Sequence, residues 1–479
     1  MRPRLPHPLW LMLLAAPPVA EVASQVPDPV ATFDLAGHWE GEIELPGSPL
    51  QVMLDFAAAD GGWRGTIDIP AQAAFGLPLE GVAVDGERVR FTISGVPGTP
   101  TFDGAHRAGE IVGGFAQGAA RLPFRLGRDA VAPPARPQDP LPPLPYGEHE
   151  VVYPSGEVTL AGTLTLPPGP GPFPGVVLVS GSGPQNRDEE LYGHRPFRVL
   201  ADALARRGIA VLRSDDRGVG GSSGDLETAT TVDLAADALA AVELLRARPE
   251  VAAERVGILG HSEGGLVGPI AANRSAAVAF VVLLAGPGVS GGALLPVQTE
   301  RLALAMGGDP QTVAAQRALV EEAVDLLSGE EDDATLRAAL AEVARRQLEL
   351  GGEPARQALG DDPQAAIARQ IDRLLTPWFR FFVLYDPRPA LMALRVPVLA
   401  VNGTLDLQVD AEQNLTAIER ALTAAGNPDW TVRRLAGLNH LFQHATTGST
   451  LEYGQIEETL APELLELIGD WILERFGSE

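Results

Sequence analysis

Gly260-His261-Ser262-Glu263-Gly264 constrains this 479-residue chain more than any other stretch. It fits the pattern G-x-S-x-G, and its flanks matter as much as its letters. Arg255–Gly260 reads as a short buried strand, and Gly265–Ala272 as a helix of small residues. A serine on a tight strand-to-helix turn is forced into a strained, exposed position from which its Oγ can attack. Glycines two residues to either side are needed there, because side chains would collide with the adjoining strand and helix. Among 53 glycines the bare pattern could arise by chance; a strand before it and a helix after it make the functional reading the stronger.

Two absences narrow the chemistry. The chain has no Cys, which excludes disulfides, thiolate metal sites and cysteine nucleophiles. All 36 of its basic residues are Arg. Schiff-base lysines, a phosphate-loop lysine and a Ser-Lys dyad are therefore excluded too. A nucleophilic Ser262 needs another base, and only eight histidines are available. A net charge of −26 disfavours nucleic acid and anionic membranes as partners and reads foremost as a solubility feature.

The N-terminus has Arg2 and Arg4, an apolar run from Leu9 to Ala20 and small residues to Ser24. This is the pattern of a secretory signal over 1–24, too short to span a bilayer, with cleavage near residues 23–25. Export is expected, to the periplasm or the medium. No later run offers about 18 uninterrupted apolar residues, so no stable membrane insertion is expected.

Residues 28–129 form the next unit. Gln51–Phe56, Gly65–Ile69, Arg88–Ile93 and Ala120–Arg125 alternate apolar and polar residues between Gly, Pro and Asp breaks. That spacing predicts a small antiparallel β-sandwich or barrel, with Trp39 and Trp63 read as core. Residues 130–145, with seven prolines, read as a stiff linker. From Tyr146 to the end, strands alternate with helices, which predicts an α/β domain built on a mainly parallel, doubly wound sheet. Strands are expected at Val176–Ser180, Ile209–Arg213, Val278–Leu284, Pro397–Asn402 and Thr431–Leu435, and a closing helix at about Glu457–Phe476. Alternation stops at about 289–388, which reads as a helical cap over the sheet's C-terminal edge. The cap ends in the aromatic run Pro377–Pro387, read as packing ahead of pocket lining.

A serine hydroxyl needs a base, and the base needs a group to hold it. On a doubly wound sheet the expected chain order is Ser, acid, His. Asp406 lies in a Gly turn just past a predicted strand and is favoured over Asp410, which reads as the cap of a helix from Ala411. His440 follows the next strand and is favoured over His444, while His261 reads as structural. Two backbone amides are expected to face a developing oxyanion, those of Glu263 and of Ser182 in the Gly181–Gly183 loop.

Residues 146–479 resemble the α/β-hydrolase superfamily, and secreted bacterial esterase-like members in particular. Four segments carry the likeness: Gly181-Ser182-Gly183-Pro184 continuing to Arg187-Asp188, the elbow, Asn402-Gly403 with Asp406 and Gln408-Val409, and Asn439-His440-Leu441-Phe442. The loop Asp216–Ser222 resembles a structural loop of the family. The likeness implies an α/β-hydrolase fold and a Ser262–His440–Asp406 triad with no cofactor or metal. It departs at Ser180-Gly181, where many members carry His-Gly; the backbone donors survive but the bracing histidine does not. The expected reaction is hydrolysis of a small-molecule carboxylic ester through an acyl-enzyme. Glu263 is found in peptidase-like relatives as much as in esterases, so a peptidase or amidase is the alternative, with Gln185–Asp188 holding a peptide's charged end. A non-catalytic binding protein with a decayed hydrolase fold is the third reading.

Overall fold

Alternating runs separated by Gly and Pro can bury only one face each, and eight of them close on themselves here. The computed structural model describes residues 33–44, 50–59, 62–69, 74–94, 99–117, 120–128, 135–329, 332–358 and 362–477. The N-terminal signal pattern and part of the proline-rich stretch lie outside the described residues. The barrel strands are β1 (Gly37–Ile43), β2 (Leu50–Ala59), β3 (Gly62–Ile69), β4 (Ala74–Asp85), β5 (Arg88–Ile93), β6 (Thr101–Arg107), β7 (Glu110–Gln117) and β8 (Ala120–Gly127). Each pairs antiparallel with the next, and β1 closes on β8 from Glu40↔Gly127 to Ile43↔Phe124. Of the two expected forms, the barrel is the one found.

Its interior is filled by side chains, as the width of eight strands dictates. Phe91 stacks on Phe102 with centroids 4.6 Å apart, and Phe56, Phe115 and Phe124 pack edge-on or tilted around them. Trp39 is buried, donates its indole N–H to the Leu35 carbonyl (2.9 Å) and lies under the Arg128 guanidinium. Trp63 is half-buried against the same core.

The second sheet runs β16-β15-β14-β13-β11-β12-β10-β9. Its strands are β9 (Gly147–Ser155), β10 (Val158–Leu166), β11 (Phe173–Val179), β12 (Ala210–Ser214), β13 (Val251–His261), β14 (Val281–Leu284), β15 (Val398–Gly403) and β16 (Trp430–Leu435). β10 pairs antiparallel with both β9 and β12, and the remaining pairings are parallel. Alternate residues feed two cores. Val177 and Ile258 pack under α2 (Thr231–Arg246), α3 (Gly264–Arg274) and α10 (Ala411–Ala424). Val176 and Leu259 pack on the other face with α1 (Pro196–Arg206) and α11 (Pro462–Phe476). The strand order reverses between β11 and β13, so a crevice opens outside their carboxyl ends. Ser262 immediately follows β13.

Between β14 and β15 run helices and, among the described residues, no strand. They are α4 (Gly291–Ala305), α5 (Pro310–Leu327), α6 (Asp333–Ala358), α7 (Pro363–Leu374), α8 (Pro377–Leu384) and α9 (Arg388–Ala393). The chain divides into two compact units. One holds the barrel residues with 306–326 and 330–372; the other holds 136–305, 327–329 and 373–479. The insertion is thus shared: α4, α8 and α9 belong with the sheet. Among the described residues, no helix is long and apolar enough to cross a membrane.

Candidate active site

The elbow has the geometry its letters demand. β13 ends at His261, α3 begins at Gly264, and Ser262 between them holds φ = 51°, a conformation worth about 1–3 kcal/mol of strain for a non-glycine residue. The Ser262 amide donates to the Leu284 carbonyl (2.8 Å), which fixes the turn against β14. A Cβ on Gly260 would sit 1.9 Å from the Gly264 oxygen, and one on Gly264 2.3 Å from that of Val179. Neither position can hold a side chain while the helix approaches the sheet this closely.

Asp406 and His440 meet. The His440 Nδ1 lies 2.8 Å from Asp406 Oδ2, and both residues are buried. The other carboxylate oxygen, Oδ1, accepts the amides of Gln408 and Val409, each at 2.8 Å. Asn402 shapes this loop by donating to the Val409 carbonyl (2.6 Å). Asn439 does the same for the histidine loop, its Oδ1 accepting the amides of Leu441 and Gln443. Gly403 lets the two loops touch, since a Cβ there would meet the Leu438 oxygen at 2.1 Å. The rival residues are engaged elsewhere. Asp410 caps α10 through the Gln413 amide and pairs with Arg301, and His444 is exposed between Glu458 and Glu463.

His261 is structural, and more closely tied to the site than its position suggested. Its Nδ1 meets Glu189 Oε1 (2.9 Å) and its Nε2 meets the carbonyl of His440 (3.0 Å). Glu189 Oε1 also accepts the amide of Gly181 (2.7 Å). Three bonds therefore run from the Gly181 loop through the elbow to the His440 loop. A carbonyl only accepts, so Nε2 carries a proton, and Nδ1 faces a carboxylate already accepting from Gly181. Burial opposes charge on this imidazole, but the charge and hydrogen bond of Glu189 outweigh it and raise its pKa.

Sequence reasoning missed Glu189, which is 2% exposed and sits at φ = 50°. Truncating it would take the partner from the Gly181 amide and from Nδ1 of the buried His261. Glu189→Ala is expected to destabilise the protein by about 3–5 kcal/mol, read from the denaturant midpoint. The folded pKa of His261 is raised, so the pair stabilises fully below the ordinary histidine value and loses its effect as pH rises through the raised one. The gap between wild type and variant should accordingly narrow towards alkaline pH.

Asp216 braces both ends of the Gly181–Gly183 loop. Its carboxylate accepts the Ser180 hydroxyl (3.0 Å) and the Gln185 amide (2.9 Å). Burial pushes this group up to about 8, against those two bonds and with the charges of Glu189 and Glu263 adding to it. The charges of the Gln185–Asp188 stretch are spent internally: Arg187 is clamped by Asp215 (2.8 Å) and Glu150, and Asp188 pairs with the buried Arg213. The aromatic run forms α8, whose Trp378 Nε1 donates to both carboxylate oxygens of Glu263, at 2.8 and 3.0 Å.

A model of the alpha/beta hydrolase family matches residues 176–447, more than half of the chain. Esterase EstD of Thermotoga maritima is 41% identical over 128 residues, which are 27% of this chain and 30% of that protein. The chain thus matches less than a third of that relative's length. Among solved structures, an esterase of Pyrococcus furiosus aligns with 70% of this chain and 92% of its own, at 14% identity and a TM-score of 0.40. The α/β hydrolase GrgF from Penicillium sp. sh18 aligns with 70% of this chain and 100% of its own, at 19% identity and a TM-score of 0.42. A strained serine at the switch point of a mainly parallel sheet and a family match spanning it lead to one conclusion: the chain belongs to the alpha/beta hydrolase family.

Proposed function

We propose that this protein is a serine hydrolase of carboxylic esters, with Ser262 as nucleophile, His440 as base and Asp406 as the group that orients it. The observation that carries this reading is the buried Asp406–His440 bond of 2.8 Å, made by loops at the edge of the sheet that bears the strained serine. Asp406 can only accept there, so Nδ1 of the neutral imidazole carries the proton and Nε2 offers its lone pair to the Ser262 hydroxyl. Attack on the ester carbonyl forms a tetrahedral oxyanion. Protonated His440 then releases the alcohol, and water resolves the acyl-enzyme by the same route. The Gly181 amide is spent on Glu189, so the next amide, that of Ser182, serves the oxyanion together with that of Glu263.

The name of the 41%-identical relative supports esters. The peptidase reading loses its support from Arg187 and Asp188, whose charges are neutralised by Asp215, Glu150 and Arg213. The signal-like N-terminus motivates the further proposal that the enzyme works outside the cytoplasm. A fluorophosphonate probe tests the chemistry. It should label one residue, Ser262, identified by peptide mass, and the labelled protein should no longer cleave p-nitrophenyl butyrate. Full turnover after stoichiometric labelling, or labelling elsewhere, would overturn the assignment. Faster cleavage of aminoacyl anilides than of short esters would replace the ester reading with the amidase one.

A further inference from the structure

Residues 436–461, between β16 and α11, form neither helix nor strand, so their backbone groups need partners other than a ladder. Both triad loops lean on the second half of this segment. Gln443 donates to the Glu458 carbonyl (2.9 Å) and accepts from Asn439 (2.9 Å), and the Ala461 amide donates to the Phe442 carbonyl (2.8 Å). On the acid side, the Gln408 amide donates to Asp406 while its side chain donates to the hydroxyl of the buried Tyr453 (3.1 Å). Residues 453–461 are held in turn by the end of the proline-rich stretch. Arg136 is the first residue of the unit that holds the sheet. Its guanidinium donates to the carbonyls of Gly454 (2.8 Å) and Ile456 (3.1 Å), and to those of Tyr192 (3.1 Å) and Gly193 (3.2 Å) just before α1. Gln138 accepts the amides of Thr459 (2.6 Å) and Leu460 (3.0 Å) and donates to the Leu460 carbonyl (2.7 Å). Asp139 pairs with Arg195. His194 joins the same two loops, with Nδ1 2.9 Å from the Thr459 hydroxyl and Nε2 2.9 Å from the Tyr453 carbonyl. A planar guanidinium with five N–H donors serves two loops at once, whereas an ammonium radiates three donors from one atom.

We propose that residues 136–139 are a strap and Arg136 a positioning residue: by tying 453–461 to the loop before α1, it sets where the Asp406–His440 pair stands relative to Ser262. This rests on the serine-hydrolase reading above. Arg136 is half-buried, so water can serve the four carbonyls when the guanidinium is lost, and the fold should survive. The two loops would nonetheless lose a fixed spacing. A general base acts only within hydrogen-bond reach of the proton it takes, so a displaced pair should slow turnover more than it weakens substrate binding.

The test uses the full chain and p-nitrophenyl butyrate, with kcat expressed per Ser262 titrated by the fluorophosphonate probe. Arg136→Met keeps the apolar stem and removes every donor. It should lower kcat by about tenfold with KM within about threefold of wild type, the cost of misplacing a reacting group by a fraction of an ångström. In an Asp406→Asn background, where the pair no longer works, the same substitution should cost no more than about twofold, because groups that act on one step fail together. A kcat within about twofold of wild type in a folded Arg136→Met enzyme would overturn the proposal, and so would a loss that multiplies in the Asp406→Asn background. If Arg136→Met does not fold, Gln138→Met decides, since it releases the same segment at Thr459 and Leu460. A reduced kcat at unchanged KM supports the strap, and a wild-type kcat overturns it. Failure of the serine-hydrolase reading would show separately, as turnover that survives complete labelling of Ser262.

Discussion

Ser262→Ala should lower kcat on short esters by at least about 10⁴-fold while leaving the fold intact, because alanine keeps the Cβ and the backbone of the elbow and removes only the hydroxyl. Asp406→Asn should cost a comparable factor by a different route. The asparagine amide can donate to His440 Nδ1, which favours the tautomer with its proton on Nε2, the nitrogen that must accept from serine. The substitution also leaves a single oxygen where Asp406 now serves the amides of Gln408 and Val409 as well as the histidine. The double variant should be scarcely slower than Ser262→Ala alone, since groups that act on one proton transfer fail as a unit. Single-variant losses well below 10⁴, or multiplying losses in the double variant, would show that Ser262 and Asp406 do not serve one step.

Much of this site was legible in order along the chain. Ser262 and Asp406 follow the buried ends of β13 and β15, and His440 follows the partly exposed β16, each within a few residues. Asp410 and Asp406 were separable because a cap precedes a helix whereas an acid in a Gly turn does not. The supports were not legible, for a physical reason. Glu189 and His261 are 72 positions apart, and Trp378 and Glu263 are 115 apart. Nothing local marks a carboxylate that will be buried by partners so distant. Asp216 was read as part of a structural loop, and its bond to Ser180 ties that loop to the one that follows β11. In the barrel, β4 escaped notice because Gly76, Pro78 and Gly81 break its alternation. The strand continues through two glycines at positive φ, with register shifts against both of its neighbours. Sandwich and barrel could not be separated either, because closure rests on the pairing of β1 with β8, which no neighbouring residues record.

Gly260→Ala should be among the most damaging single methyl groups at the described residues. The added carbon would lie 1.9 Å from the Gly264 oxygen and 2.1 Å from its carbonyl carbon, so backbone, not a flexible side-chain tip, must give way. Relief requires α3 to move off β13 by an ångström or more. That motion displaces the amides of Glu263 and its neighbours, loosens the Glu263 carboxylate from Thr231 and Trp378, and shifts Ser262 in its turn. Displacement of this size should cost at least about 10²-fold in kcat. Overpacking at backbone should also destabilise by about 3 kcal/mol, at the upper end for inserted carbons in a close-packed interior. Gly114→Ala is the control: it lies on β7 with no atom within 4 Å of the new carbon, and should change stability by no more than about 0.5 kcal/mol. Urea midpoints and ester turnover measured on both variants test the comparison. If Gly260→Ala matched Gly114→Ala in both, the elbow would have slack to spare, and the strain at Ser262 could not be what aims its hydroxyl.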